Sequence, residues 1–177
     1  MDRLTPPLNE RDHIQGPPDA ATELVEYGDF ECPHCKAAYP VISRLQAEFG
    51  GDLCFSYRHF PLADTHPLAT FAAEAAEAAG VQGEFWQMHN ALFEESPNLE
   101  LPNLVTLAAA LGFDLDRFGQ DLASHRYLRR IRADVESGQR SGVHSTPTFF
   151  INGLPHEGEF DFDSLHAALL DAMRVPR

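Results

Sequence analysis

Residues 24–35 read LVEYGDFECPHC. Leu24–Tyr27 is apolar enough for a buried strand. From Pro33 the spacing turns helical, with Ala37, Ala38, Val41, Ile42, Leu45 and Phe49 recurring on one face until Gly50-Gly51 stops the run. Cys32 and Cys35 therefore fall at a strand-to-helix junction. Pro33 at the first helical position costs little there, because its missing N–H would lack a partner anyway. Pro40 lies inside the helix and removes one of its hydrogen bonds, which predicts a kink. The chain has one other cysteine, Cys54. Such a pair is a redox couple, half of a metal site or a structural staple.

The junction favours redox chemistry. Thiol–disulfide exchange needs an exposed thiolate, stable near neutral pH and close to a second thiol. At a helix start the free N–H groups and the positive end of the helix dipole favour an anion on Cys32. His34 is a polar, potentially cationic neighbour with the same effect. Cys35, one turn on, is placed to attack a mixed disulfide at Cys32, so Cys32 reads as nucleophile and Cys35 as resolver. A structural zinc site needs four ligands. Here Cys54 stands alone and the nine histidines form no HxxxH or HExxH. No GxGxxG or GxxxxGK[ST] is present either, so neither metal nor cofactor is expected.

Composition sets the outer bounds. In 177 residues, 27 acids against 13 bases give a net charge of −14, which repels phosphate backbones and anionic lipid. Nucleic acid and membrane are thus not expected as partners. No apolar run approaches the roughly 20 residues of a membrane span. The opening MDRLTPPLNERDHIQGPPDA has prolines and charges where a signal peptide needs an apolar segment. The expected location is cytoplasmic, or periplasmic or secreted if a leader has been removed. In a reducing cytosol CxxC points to catalysis or metal rather than to a staple.

Along the chain, residues 1–22 read as an extended arm with a weak strand at His13–Gln15. Leu53–His59 alternates Leu53, Phe55 and Tyr57 against Cys54, Ser56 and Arg58, which predicts a strand. A helical block follows in the segments His66–Ala79, Gly83–Glu95, Leu101–Leu111, Asp114–Leu122 and His125–Gly138. Asn152-Gly153 between Thr148–Ile151 and a strand beginning at Leu154 is a hairpin signal. Asp161–Met173 closes as a helix capped by Asp161 or Asp163. The order frames an all-helical insertion with two halves of one α/β unit.

FECPHC after an apolar strand, HSTPTFFING some hundred residues later, and the intervening helical block together resemble the DsbA-like branch of the thioredoxin superfamily. Pro40 matches the helix-kinking proline of thioredoxins generally. The resemblance spans nearly all of the chain beyond the arm. It implies a thioredoxin-like fold of class α/β with an inserted all-helical subdomain, divided as arm 1–22, first half 23–62, insertion 63–140 and second half 141–177. It implies a thiol:disulfide oxidoreductase acting through Cys32 and Cys35 on protein or low-molecular-weight thiols and disulfides, with a redox partner still to be identified. Pro147 would be the cis-proline beside the sulfurs. Thr146 would offer its backbone to an extended substrate by strand addition. Glu26, six residues before Cys32, would be a buried acid that takes the proton of Cys35. Pro33 and His34 would stabilise the reduced thiolate.

Two rival readings differ from this one. A non-catalytic thiol- or metal-binding docking module would use the same scaffold without turnover. Chemistry on glutathione conjugates usually dispenses with the second cysteine, which this chain keeps. The remaining residues read plainly: Cys54 as a half-buried strand thiol, Trp86 as helical core, Glu74 and Glu77 as a solvated helix face, and the other histidines as scattered.

Overall fold

The computed structural model describes residues 3–94 and 98–174. Five strands form one mixed sheet: β1 (His13–Gln15), β2 (Thr22–Gly28), β3 (Leu53–His59), β4 (Thr148–Ile151) and β5 (Leu154–Pro155). Their spatial order is β1-β3-β2-β4-β5. The β2–β3 pair is parallel, joined through helix α1 (Pro33–Phe49), and the other pairs are antiparallel. α1 runs through Pro40 without interruption and ends at Gly50, whose φ of 51° suits a residue without Cβ. The β4–β5 turn has Asn152 at φ 47° and Gly153 at φ 76°, the paired positive angles that a two-residue hairpin of this kind requires.

Side chains alternate across the sheet and build two cores. On one face Leu24, Phe55, Tyr57 and Phe149 meet Ala38, Ile42 and Leu45 of α1. On the other, Val25, Tyr27 and Phe150 pack with Phe60, Val143 and Leu4 of the arm. Helix α7 (Phe162–Met173) covers β2 and β4 beside α1, and Asp161 caps it by accepting from the Ser164 N–H at 2.8 Å. The inserted layer comprises α2 (Ala69–Gly80), α3 (Phe85–Glu94), α4 (Leu101–Ala110), α5 (Leu115–Ala123) and α6 (Leu128–Arg140). Glu95, the expected end of α3, lies outside the described residues. α6 packs on both α2 and β3, tying the layer to the sheet.

Two sequence expectations change here. All seven residues of β3 are buried, so its alternation separates two core faces and not core from solvent. Cys54 is fully buried with them. Glu74 and Glu77 are also buried, because the alanine-rich α2 is enclosed by α3, α5 and α6 and has no solvated side. A carboxylate in such a place must be paired. Glu77 accepts from His13 Nε2 at 2.8 Å and His59 Nε2 at 2.9 Å, and Glu74 meets His125 Nδ1 at 3.0 Å. Burial pushes the Glu77 carboxyl up, but the two imidazoles outweigh it and hold it below the usual range.

Arg58 fastens the arm. Its guanidinium, 1% exposed, donates to Asp12 through Nε at 2.7 Å and Nη2 at 2.9 Å. It also donates to the carbonyls of Pro6 and Pro7 at 3.0 and 3.2 Å and to the Tyr27 hydroxyl at 3.0 Å. Removing one member of a buried, fully bonded ion pair strands the other charge. Arg58→Ala is therefore expected to lower stability by about 3–5 kcal/mol, read as a fall in the urea midpoint with little change of slope.

Candidate redox site

The site forms where β2 hands over to α1. Cys32 is the N-cap of α1, with extended backbone (φ −73°, ψ 121°) and a side chain that does no capping, so its sulfur is left for chemistry. Pro33 occupies the first turn. The loop is held by Asp29, 2% exposed, whose carboxylate accepts from the Glu31 N–H at 2.8 Å, the Leu62 N–H at 2.9 Å and His66 Nδ1 at 2.7 Å. Its carbonyl accepts from the Cys32 N–H at 3.1 Å. Glu31 reaches across to the Leu68 N–H at 2.7 Å, linking the loop to the start of α2. Sequence reasoning passed over both acids. An aspartate three residues before an N-cap is a turn-forming signal that was available.

Opposite the helix start lies Thr146–Pro147, a cis peptide bond. Cys32 Sγ donates to the Thr146 carbonyl at 3.4 Å. The Thr146 hydroxyl is buried with no partner among the described residues, so it stands ready to donate once the sulfur ionises. Both Cys32 and Cys35 are thiols outside any disulfide. Cys32 was expected to be exposed and is only 3% exposed, because the Thr146 segment lies against it. A substrate must approach along that segment.

The two sulfurs ionise very differently. Cys32 is pulled down to about 5, first by a hydrogen bond from the Cys35 thiol, then, against the cost of burial, by Thr146 and the N–H groups of Cys35 and His34. It is thus the amide of His34 that touches the sulfur. Its imidazole is exposed, edge-on to Phe160 with ring centres 6.1 Å apart. Cys35, 0% exposed, is pushed far up by burial, then by the hydrogen bond it gives to Cys32, and further by any charge on Glu26 or Cys32. It stays protonated and serves as donor to Cys32.

Glu26 sits on β2 between Tyr57 of β3 and Phe149 of β4 in the sheet register. Burial, and then the charge on Cys32, raise it to about 8. It lines a cavity of about 10 Å³ with His89, Asn90, Gln15 and Gln46, roughly the space one water molecule needs. His89 Nε2 is buried without a partner among the described residues, and burial lowers its imidazole to about 3, keeping it neutral. Tyr57, not singled out from sequence, is fully buried, and its hydroxyl has no partner among the described residues. A Cβ on Gly28 would stand 2.7 Å from that hydroxyl, which is why only glycine fits there. The structure therefore gathers Cys32, Cys35, Glu26, Thr146 and Pro147 at one place. Pro33 and the His34 ring sit on its outer rim.

Known proteins resemble the chain in sequence and in fold. A family model described as thioredoxin matches residues 8–171. The chain is 45% identical over 177 residues to a Na(+)/H(+) antiporter, NhaA 1 of Salinispora arenicola, covering 100% of this chain and 27% of that protein. It is 44% identical over 168 residues to NhaA 1 of Mycolicibacterium vanbaalenii, covering 94% and 27%. The chain thus spans about a quarter of the length of the curated relatives it matches. Among the described residues no helix is long and apolar enough to cross a membrane. Oxidised BdbD from Bacillus subtilis superposes with a TM-score of 0.88 at 22% identity, over 99% of this chain and 100% of that one. Alpha-DsbA1 of Wolbachia pipientis gives 0.82 at 23%, over 97% and 94%.

Glu26 makes stability depend on pH in a defined direction. Between about 4.5, its ordinary value, and about 8 the folded chain keeps a proton that the unfolded chain releases, so stability falls as pH rises through that window. Glu26→Gln removes this penalty. The reduced variant is expected to exceed the parent in urea stability at pH 8 by up to about 4 kcal/mol, with the gap closing toward pH 4.5.

Proposed function

The chain belongs to the thioredoxin family, in the DsbA-like form of its fold, and from that premise we propose that it is a thiol:disulfide oxidoreductase working through Cys32 and Cys35. The observation that carries this reading is the placement of Cys32 at the N-cap of α1, against the Thr146 carbonyl and the cis Pro147, with the Cys35 thiol buried one turn on.

In the reducing direction the Cys32 thiolate attacks one sulfur of a substrate disulfide. A Cys32–substrate bond forms, the substrate S–S bond breaks, and the second substrate sulfur leaves as thiolate. The charge on Cys32 is then gone, and with it the repulsion that helped to raise Glu26, so the carboxyl ionises more readily. Glu26 takes the proton of Cys35. The Cys35 thiolate attacks Cys32, closing the Cys32–Cys35 disulfide and expelling the first substrate sulfur. The proton on Glu26 leaves by way of the water-sized cavity. The oxidising direction is the same path reversed, with Cys32 as the better leaving group. A depressed Cys32 favours that direction, because it stabilises the reduced protein.

Thr146, with its carbonyl at Cys32 and Pro147 beside it, lies where an extended substrate would pair its backbone. Substrates are proposed to be protein or low-molecular-weight thiols and disulfides. The cytoplasm is proposed as compartment on cysteine usage alone. Since the first curated relatives are named as antiporters, cysteines of a transport protein are proposed among the substrates.

Cys32→Ser is expected to reduce exchange with a fluorescent disulfide-linked peptide to the uncatalysed rate. Cys35→Ala is expected to accumulate a mixed disulfide with the same peptide, visible by mass spectrometry. Full activity in Cys32→Ser would contradict the assignment.

A further inference from the structure

A chain of net charge −14 places seven of its thirteen basic side chains around one groove. The groove lies between the arm and α6, on the sheet face away from Glu26, and has a volume of about 1300 Å³. Three acids also line it, leaving a local excess of four positive charges against the overall negative sign. We propose that this groove binds an acidic polypeptide segment, at a site separate from the cysteine pair.

The arginines divide into two groups. Arg58 and Arg130 form floor and wall, and each is committed: Arg58 to Asp12, Arg130 to Asp134. These pairs use two of the three acids. Arg126 has only a long contact to Asp121, 3.4 Å, with its side chain 68% exposed. Arg129, Arg132 and Arg140 are exposed on one side of α6, three and eleven residues apart from the first, and Arg11 faces them from the arm. None of these four guanidinium groups has an acidic partner among the described residues, although the chain carries 27 acids. The third lining acid, Glu136, is exposed among them. Arg129 and Arg132, three residues apart, repel one another, and Glu136, four residues from both Arg132 and Arg140, is the one exposed acid set against the cluster.

The shape selects the class of occupant. The groove exceeds the roughly 300–1,000 Å³ typical of a small-molecule site, which favours a length of chain over a single small anion. It is concave, and a flat anionic membrane or a nucleic-acid duplex would meet the negatively charged remainder of the protein as well as the arginines. An acidic segment threading the groove meets a net positive lining, with Glu136 the one unpaired acid among the arginines. The groove is also preformed. Arg58 pins Pro6 and Pro7, Arg130 Nη2 donates to the Arg11 carbonyl at 3.1 Å, and the Thr5 N–H donates to Ser141 at 2.8 Å. Little order must be created on binding.

The test uses the full chain and a fluorescein-labelled dodecapeptide of alternating glutamate and alanine, with binding followed by anisotropy at about 50 mM salt. Saturable binding is expected, weakened at least about tenfold in R129Q/R132Q/R140Q and similarly by raising salt to about 500 mM. Thiol–disulfide exchange by the variant should equal that of the parent, which shows that it is folded. Should the triple variant aggregate, Arg132→Glu alone is expected to weaken binding in the same direction. The proposal is overturned if the parent does not bind the peptide, if the variants bind as the parent does, if a lysine–alanine peptide binds equally, or if vesicles containing phosphatidylserine bind where the peptide does not.

Discussion

Around Cys32, Cys35 and Glu26 the protein must settle how many negative charges it keeps, because all three groups are buried at the end of the sheet. Water solvates each charge far better than Tyr57, Phe149 and the packed face of α1 can. The structure accommodates the charge at Cys32, where the Thr146 hydroxyl and the amides of His34 and Cys35 converge. Cys35 and Glu26, deeper in, stay protonated as a consequence. Assignment of nucleophile, resolver and proton acceptor follows from this one arrangement. When Cys32 becomes covalently bound its charge disappears, and the next group in line is released to ionise. The chemistry is thereby ordered by electrostatics.

Such an arrangement works only if the backbone around it is fixed. Asp29 gathers three donors from separate segments and sets the height of Cys32 at the helix start. Gly28 admits the Tyr57 ring beside the acid. On the far face, Arg58 ties the arm to β3 and gives the arginine groove its rigid wall. The two faces of one sheet thus carry two different electrostatic tasks. One concentrates a single negative charge, and the other presents several positive ones.

Much of this could be read from sequence because the signals were local. The strand–CPHC–helix junction, the Asn152-Gly153 turn and the Asp161 cap each depend on a few adjacent residues, and each appears where the pattern placed it. What escaped was set by distant packing. Glu74 and Glu77 look like a solvated face within α2 alone, and only the enclosing helices reveal that they are buried. Asp29 and Tyr57 gain their importance from contacts with Leu62, His66 and Gly28. The low exposure of Cys32 depends on a segment over a hundred residues away. The arginine groove was hidden by the net charge itself, which averages over a surface that is strongly uneven.

Cys32 acts first only if it is a thiolate at neutral pH, and thiolate absorbance near 240 nm during an acid titration of the reduced protein measures that directly. The expected result is a single step centred near pH 5 that is lost in Cys32→Ser, with no second step from Cys35 up to pH 9. A step that is lost in Cys32→Ser but centred near 8.5, the value of an ordinary cysteine, would contradict it.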